Sequence, residues 1–301
     1  MTARQQGRVV SAHGRHYMVE LENGSIIKCF PRGKKNDAAV GDRVDVSVQN
    51  ADEGALETIL PRSNLLYRSD EMRSKQFAAN VDQLLIVVAV EPGFSDDLLG
   101  RALAGAWSAH MQPIIILNKI DLKHGLPEAR KKLSVFVRLS VPVIELCAHE
   151  HDEVNRLLRP LLADKTTLLL GQSGMGKSTL LNALVPGALA ATQEHSVALD
   201  AGRHTTTTTR LYHLPDDGGD LIDSPGFQAF GLRHLTTEEI EHGFPEFDQP
   251  RQSCRFYNCT HQHEPGCGVL GALSGGQIDP SRHALYVRLL QEKQASEQLF
   301  R

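Results

Sequence analysis

Eight residues near the middle of the chain, Gly171 to Ser178, read GQSGMGKS and fit the spacing G-x-x-x-x-G-K-[ST]. The apolar run TTLLL precedes them and the helix-like run STLLNAL follows. In that strand–loop–helix setting a glycine-rich loop turns its backbone N–H groups onto phosphates at the positive end of the next helix. Gly171, Gln172, Ser173, Gly174, Met175, Gly176 and Thr179 are expected to form the wrap, with Lys177 reaching the β- and γ-phosphates and Ser178 ligating Mg2+. A second motif, NKID, comprises Asn118, Lys119, Ile120 and Asp121 and follows the apolar run PIIIL. Guanine offers a ring N–H and a 2-amino group on one edge and two acceptors on another. A carboxylate at Asp121 can accept from both donors, and Asn118 can donate to the acceptor edge. Adenine would leave Asp121 facing an acceptor nitrogen, so GTP and GDP are the expected ligands. A P-loop kinase or ATPase with an accidental NKID is the competing reading, and competition between GTP and ATP separates the two.

Two further segments bear on the triphosphate. DSPG, Asp223 to Gly226, follows GDLI: Asp223 is placed to hold Mg2+ through water and Gly226 to sense the γ-phosphate. The tract GRHTTTTTR, Gly202 to Arg210, contains threonines that ligate Mg2+ only when nucleotide orders the loop, which is switch behaviour. The residue after Gly226 is Phe227, where a Ras-like enzyme carries the glutamine that orients water. An apolar side chain cannot do this, so intrinsic turnover should be slow and another polar group or a partner must complete the site. His204, beside the threonines, is the candidate catalytic group. A non-catalytic GTP-sensing adaptor is the alternative, distinguished by an absence of phosphate release even with the partner present.

Cys254, Cys259 and Cys267 lie within fourteen residues, with His261 and His263 among them, while Cys29 and Cys147 stand alone. Five cysteines in a chain with no apolar leader argue against a disulfide framework. Three thiols and one imidazole match a closed tetrahedral Zn2+ site with no open position for chemistry, and either histidine can supply the fourth ligand. A module this small should draw much of its folding energy from the metal.

These residues need a frame. Leu84–Val90, Pro113–Leu117, Val141–Leu146, Thr166–Leu170, Thr209–Leu214 and Asp220–Ile222 read as strands, with helix-length segments at Asp97–His110, Pro127–Leu139 and Asp152–Leu162 between several of them. Such alternation predicts a doubly wound parallel α/β sheet over residues 69–229. Residues 1–68 hold five short β-rich runs, with Asn23-Gly24 as a hairpin signal between the second and third. They predict a small barrel, OB-like or SH3-like. Residues 230–301 predict a zinc-binding helical domain whose last helix opens at Asp279-Pro280. The 301 residues are 41% hydrophobic and 23% charged, which excludes wholesale disorder. The longest apolar run, Leu84–Val90, is far below the roughly 18 residues of a membrane span, and a cytoplasmic location is expected. A net charge of -4, with the basic excess confined to residues 1–68, means that any nucleic-acid contact must come from local patches.

In chain order NKID, Cys147-Ala148, GQSGMGKS, RHTTT and DSPGF are the five G-protein elements permuted as four, five, one, two, three. With the barrel before them and the Cys/His cluster after them, the chain resembles the ribosome small-subunit-dependent GTPase A family over essentially its whole length. The resemblance implies a GTP hydrolase, monomeric and cytoplasmic, that binds the small (30S) ribosomal subunit and its 16S ribosomal RNA late in maturation and is stimulated by the particle. It also implies base contacts at Cys147 and Ala148, Thr206 as the Mg2+-linked threonine, a catalytic role for His204, and His261 rather than His263 as the zinc ligand. The fifth element is CA where SA is commoner, and a backbone N–H is expected to do most of its work. Because DSPGF runs directly into the C-terminal segment, a γ-phosphate-driven shift there is expected to tilt the zinc module.

Overall fold

The computed structural model describes residues 4–33, 37–69, 74–188, 209–224, 232 and 234–299. His204, Thr206, Gly226 and Phe227 lie outside the described residues.

Five strands, β1 (Arg4–His13), β2 (His16–Leu21), β3 (Ile26–Pro31), β4 (Arg43–Val48) and β5 (Glu53–Ile59), pair in the order β1-β2-β3-β5-β4 and close through β4 onto β1. β3 and β5 run parallel. This Greek-key closure is that of an OB barrel and separates it from an SH3-like meander. Alternation along β2 turns Tyr17, Val19 and Leu21 inward against Val9, Ile27, Val44 and Val46. Gly24 takes a φ of 80°, and Asn23 Oδ1 accepts from Ser25 N at 3.0 Å, so the Asn-Gly turn forms. Cys29 is fully buried, which pushes its thiol up to about 11 and makes it a packing residue.

The second layer is the sheet β10-β9-β8-β11-β13-β12. β8 (Gln83–Ala89), β9 (Gln112–Asn118), β10 (Val143–Glu145), β11 (Thr166–Gly171) and β13 (Asp220–Asp223) are parallel, and β12 (Arg210–His213) is antiparallel. Every residue of β8 and β11 is buried, as expected of central parallel strands. Helices α1 (Asp96–Ser108), α2 (Leu126–Arg138), α3 (His151–Leu162) and α4 (Lys177–Leu184) occupy the connections. A hairpin absent from the sequence reading, β6 (Leu65–Ser69) with β7 (Ser74–Ala79), lies between barrel and sheet. Its Ala78 bridges to Val40.

The C-terminal segment contains α5 (Thr237–His242), α6 (Gly268–Ser274) and α7 (Pro280–Leu299). Small as it is, it packs a core of its own around Phe244, Phe247, Tyr286 and Leu289, with Ala104 of α1 contributing. Gly243 allows the close approach: a Cβ there would meet the Ala104 carbonyl oxygen at 2.7 Å. Arg101 of α1 reaches Glu292 of α7 at 2.5 Å, so the segment is fixed to the sheet layer along a helix face.

Among the described residues, barrel and sheet are joined by one ladder position, Ser11 opposite Arg210, and by a polar cluster. Arg8 pairs with the Asp220 carboxylate and donates to Thr166 Oγ1 at 2.7 Å. His213 bridges Asp220 at 2.7 Å and Glu20 at 2.6 Å. The hydrogen bond to Asp220, opposed by desolvation and aided by Glu20, pushes His213 up to about 9. A histidine raised from its ordinary 6.5 stabilises the junction fully below that pH and loses its contribution as pH rises through about 9. The melting temperature should therefore fall between those values more in the wild-type chain than in His213→Gln, and identical profiles would contradict the assignment.

Candidate nucleotide site and metal centre

Four motifs arrive at one edge of the parallel sheet because each follows the carboxyl end of a strand: NKID after β9, Cys147-Ala148 after β10, the glycine-rich loop after β11 and Asp223 at the end of β13. Ligands bind at that edge in open α/β sheets. Gly174 and Gly176 take φ of 82° and 88°, the left-handed region that a loop curling around phosphates requires. Gly176 has a second reason to lack a side chain, since a Cβ there would sit 2.2 Å from Asn118 Nδ2.

Asn118, only 2% exposed, donates from Nδ2 to the Met175 carbonyl at 2.9 Å, while its Oδ1 accepts from Ala148 N at 2.9 Å and from Lys119 N at 2.8 Å. One amide thus ties the base-reading motif to the phosphate loop and to the fifth element. One Nδ2 hydrogen remains for the base. The Ala148 N–H of the fifth element thereby positions Asn118. Lys119, a contact that the spacing did not disclose, donates from Nζ to the carbonyls of Glu91 at 2.8 Å and Gly174 at 2.7 Å. Asp121 is exposed beside these groups, Ile120 is half-buried against the core, and Cys147 is half-buried.

In the phosphate loop Met175 is buried, Gln172, Gly176 and Thr179 are half-buried, and Ser173, Gly174 and Ser178 are exposed. Lys177 forms an ion pair with Asp223, and both side chains are largely buried. Burial pushes the Asp223 carboxyl up, countered by the Lys177 charge. The loop therefore presents a cation beside a carboxylate, the donor set that a phosphate chain with a divalent ion requires, and Ser178 opens the first turn of α4 next to them. These groups fit Mg2+ chemically.

The ligand atoms of Cys254, Cys259, His261 and Cys267 lie within 4.8 Å of one another. The Cys254 and Cys267 sulfurs are 3.8 Å apart, and His261 Nδ1 is 3.6 and 3.4 Å from them. A tetrahedron with Zn–S bonds of about 2.3 Å has S–S edges of about 3.8 Å, so the cluster fits that ion. The N–H groups of Gly268 and Leu270 point at the Cys254 and Cys267 sulfurs at 3.3 and 3.4 Å, as thiolates require. His261 is buried in the cluster, and His263 is exposed outside it. Two carboxylates missed in the sequence support the site. Glu264 accepts from Thr260 N at 2.7 Å and His263 N at 3.2 Å, holding the ligand loop. Glu241 Oε2 stands 3.5 Å from His261 Nε2 and is held by Arg251 at 2.9 Å. A short H-x-H-E run and one of three glutamates in a helix carry no distinctive spacing, so only the fold shows what they touch.

Comparison with known proteins agrees with this geometry. The model of the RsgA GTPase family matches residues 59–233. The small ribosomal subunit biogenesis GTPase RsgA of Bordetella pertussis (strain Tohama I) is 68% identical over 291 residues, covering 97% of each chain. Its namesake from Burkholderia pseudomallei (strain K96243) is 58% identical, over 96% of this chain and 92% of that one. Among solved structures, YjeQ from Thermotoga maritima is 32% identical with a TM-score of 0.73, over 97% of this chain and 99% of that one. YloQ, described as a circularly permuted GTPase, is 30% identical with a TM-score of 0.70, over 98% and 96%. With more than half of the chain matched by the family and near-complete relatives on either side, the chain belongs to the RsgA GTPase family.

Proposed function

We propose that this protein hydrolyses GTP to GDP and phosphate as a step in biogenesis of the small ribosomal subunit, binding that subunit and its 16S ribosomal RNA late in maturation. The observation that carries the nucleotide half is the Asn118 amide, which locks base-reading and phosphate-wrapping loops into one site with Lys177 and Asp223. The ribosomal half rests on the relatives named for that process.

Asp121 accepts from the guanine ring N–H and 2-amino group, while the free Nδ2 hydrogen of Asn118 meets the acceptor edge. The Gly171–Thr179 backbone wraps the phosphates. As the Lys177–Asp223 pair opens, the ammonium turns to the β- and γ-phosphates and the carboxylate becomes available to the ion's hydration shell. Mg2+, when bound, would neutralise phosphate charge, with Ser178 and Thr206 holding it. Gly226 senses the γ-phosphate. Water attacks the γ-phosphorus, the bond to the β–γ bridging oxygen breaks, and Lys177 stabilises the charge that develops there. Phe227 cannot orient that water. His204 does so when the particle is bound, which makes intrinsic turnover slow and the stimulated rate fast.

One structural Zn2+ is bound by Cys254, Cys259, His261 and Cys267, with Glu241 fixing the imidazole through its other nitrogen. We divide the chain into residues 1–68, 69–229 and 230–301; one hydrophobic cluster lies mainly in each, with Val10, Val40, Leu66 and Ala104 packing across the boundaries and β6 spanning the first. We read the protein as a cytoplasmic monomer; among the described residues no helix is long and apolar enough to cross a membrane.

Phosphate release with purified small subunits tests the whole reading. Subunits should accelerate it, and His204→Ala should lose about 100-fold of the stimulated rate while keeping GTP affinity. Full stimulated turnover in that variant removes the catalytic role. Asp121→Asn should weaken GTP at least about 100-fold in calorimetry and improve xanthosine triphosphate, whose C2 carbonyl needs a donor; unchanged GTP affinity would refute base reading by Asp121. Glu241→Ala should speed zinc transfer to a chelator roughly 10–100-fold, and an unchanged rate would show that Glu241 does not hold the ligand.

A further inference from the structure

Large hydrophobic side chains exposed among the described residues are Ile26, Phe30, Val137, Phe256 and Tyr257. Tyr257 is 103% exposed, as open as a tyrosine can be, and Phe256 beside it is 41% exposed. Both sit in the four-residue loop Arg255-Phe256-Tyr257-Asn258 between two zinc ligands, Cys254 and Cys259. Backbone hydrogen bonds tie down its start: Arg255 N donates to the Gly266 carbonyl at 3.0 Å and Cys254 N to the Arg251 carbonyl at 3.0 Å. A bulky ring held at full exposure on an anchored tip has no packing explanation.

The surroundings specify what the rings meet. The Arg255 guanidinium lies 5.5 Å from the Phe256 ring centroid and takes part in no ion pair among the described residues. From Gln249 to His263 the sequence contains no Asp or Glu, in a chain whose net charge is -4. Two adjacent rings are too small a patch for an apolar protein groove, for which several hundred Å2 are usual. Aromatic faces flanked by an uncommitted guanidinium match an unpaired nucleotide, whose base stacks on a ring while its phosphate meets the cation. The same pairing recurs on the barrel, where Lys28 Nζ lies 5.0 Å from the half-exposed Phe30 ring. Because the loop is already ordered, stacking there costs little conformational entropy.

We propose that the Arg255–Phe256–Tyr257 tip is a stacking contact for an unpaired nucleotide of ribosomal RNA, with the Tyr257 ring against the base and Arg255 on its phosphate. The proposal rests on the reading of this chain as a partner of the small ribosomal subunit. Tyr257 packs against nothing that a truncation would disturb, so Tyr257→Ala tests it in the full zinc-loaded chain with a non-hydrolysable GTP analogue and purified small subunits. Binding should weaken about ten-fold, the loss of one stacked base, while Tyr257→Trp binds as the wild type does and zinc content and nucleotide affinity stay unchanged in both. Ultraviolet cross-linking from position 257 should label RNA. Wild-type affinity in Tyr257→Ala, or a cross-link to a ribosomal protein instead of RNA, overturns the proposal alone. Failure of the wild-type chain to bind subunits overturns the functional reading and this proposal with it.

Discussion

The nucleotide site depends on the burial of one carboxamide. Asn118 has almost no access to water, so each of its polar atoms must find a partner in the protein or the ligand. Its partners are the backbones of two other loops, and losing either would leave a buried group unsatisfied at a cost of about 1–3 kcal/mol. Three segments far apart in the chain are therefore held in one arrangement before any ligand arrives. Gly176 is the complement to that constraint: it supplies both the left-handed turn and the empty space into which the amide fits. Lys119 reinforces the clamp from the same motif, which leaves Asp121 as the member open to solvent.

The Cys/His cluster is integrated in a comparable way. His261 is reached by Glu241 from α5 and by His283 from α7, which donates to its carbonyl at 2.7 Å. α5 in turn packs on α1, where Ser108 Oγ donates to the Glu239 carbonyl at 2.6 Å. The Cys/His cluster, the C-terminal core and the nucleotide-binding sheet thus form a continuous series of contacts. Residues 232 and 235, which follow the DSPGF segment, are buried in the same core.

Motifs with fixed spacing and long buried strands were legible in the sequence because their chemistry constrains local residue types. GQSGMGKS, NKID and the cysteine cluster could be assigned from spacing and setting, and the continuous apolar run of β8 disclosed a central parallel strand. The choice between OB and SH3-like closure could not be read, since it depends on which strands pair and not on how they alternate. The hairpin β6–β7 escaped because its strands are short and lack an Asn-Gly turn. Arg8, Glu20, Asp220 and His213 read as ordinary charged surface residues until the barrel docks on the sheet. The choice of His261 over His263 needed family resemblance in the sequence, whereas burial alone decides it in the structure.

The permuted order has a consequence for how the chain is made. In this sequence Asn118 is synthesised before both loops that satisfy it: Met175 follows 57 residues later and Ala148 30 residues later. At about 5–20 residues per second the amide waits roughly 3 to 11 seconds for its last protein partner. The NKID half of the site therefore leaves the ribosome first, yet it cannot take its final geometry until translation has delivered the glycine-rich loop.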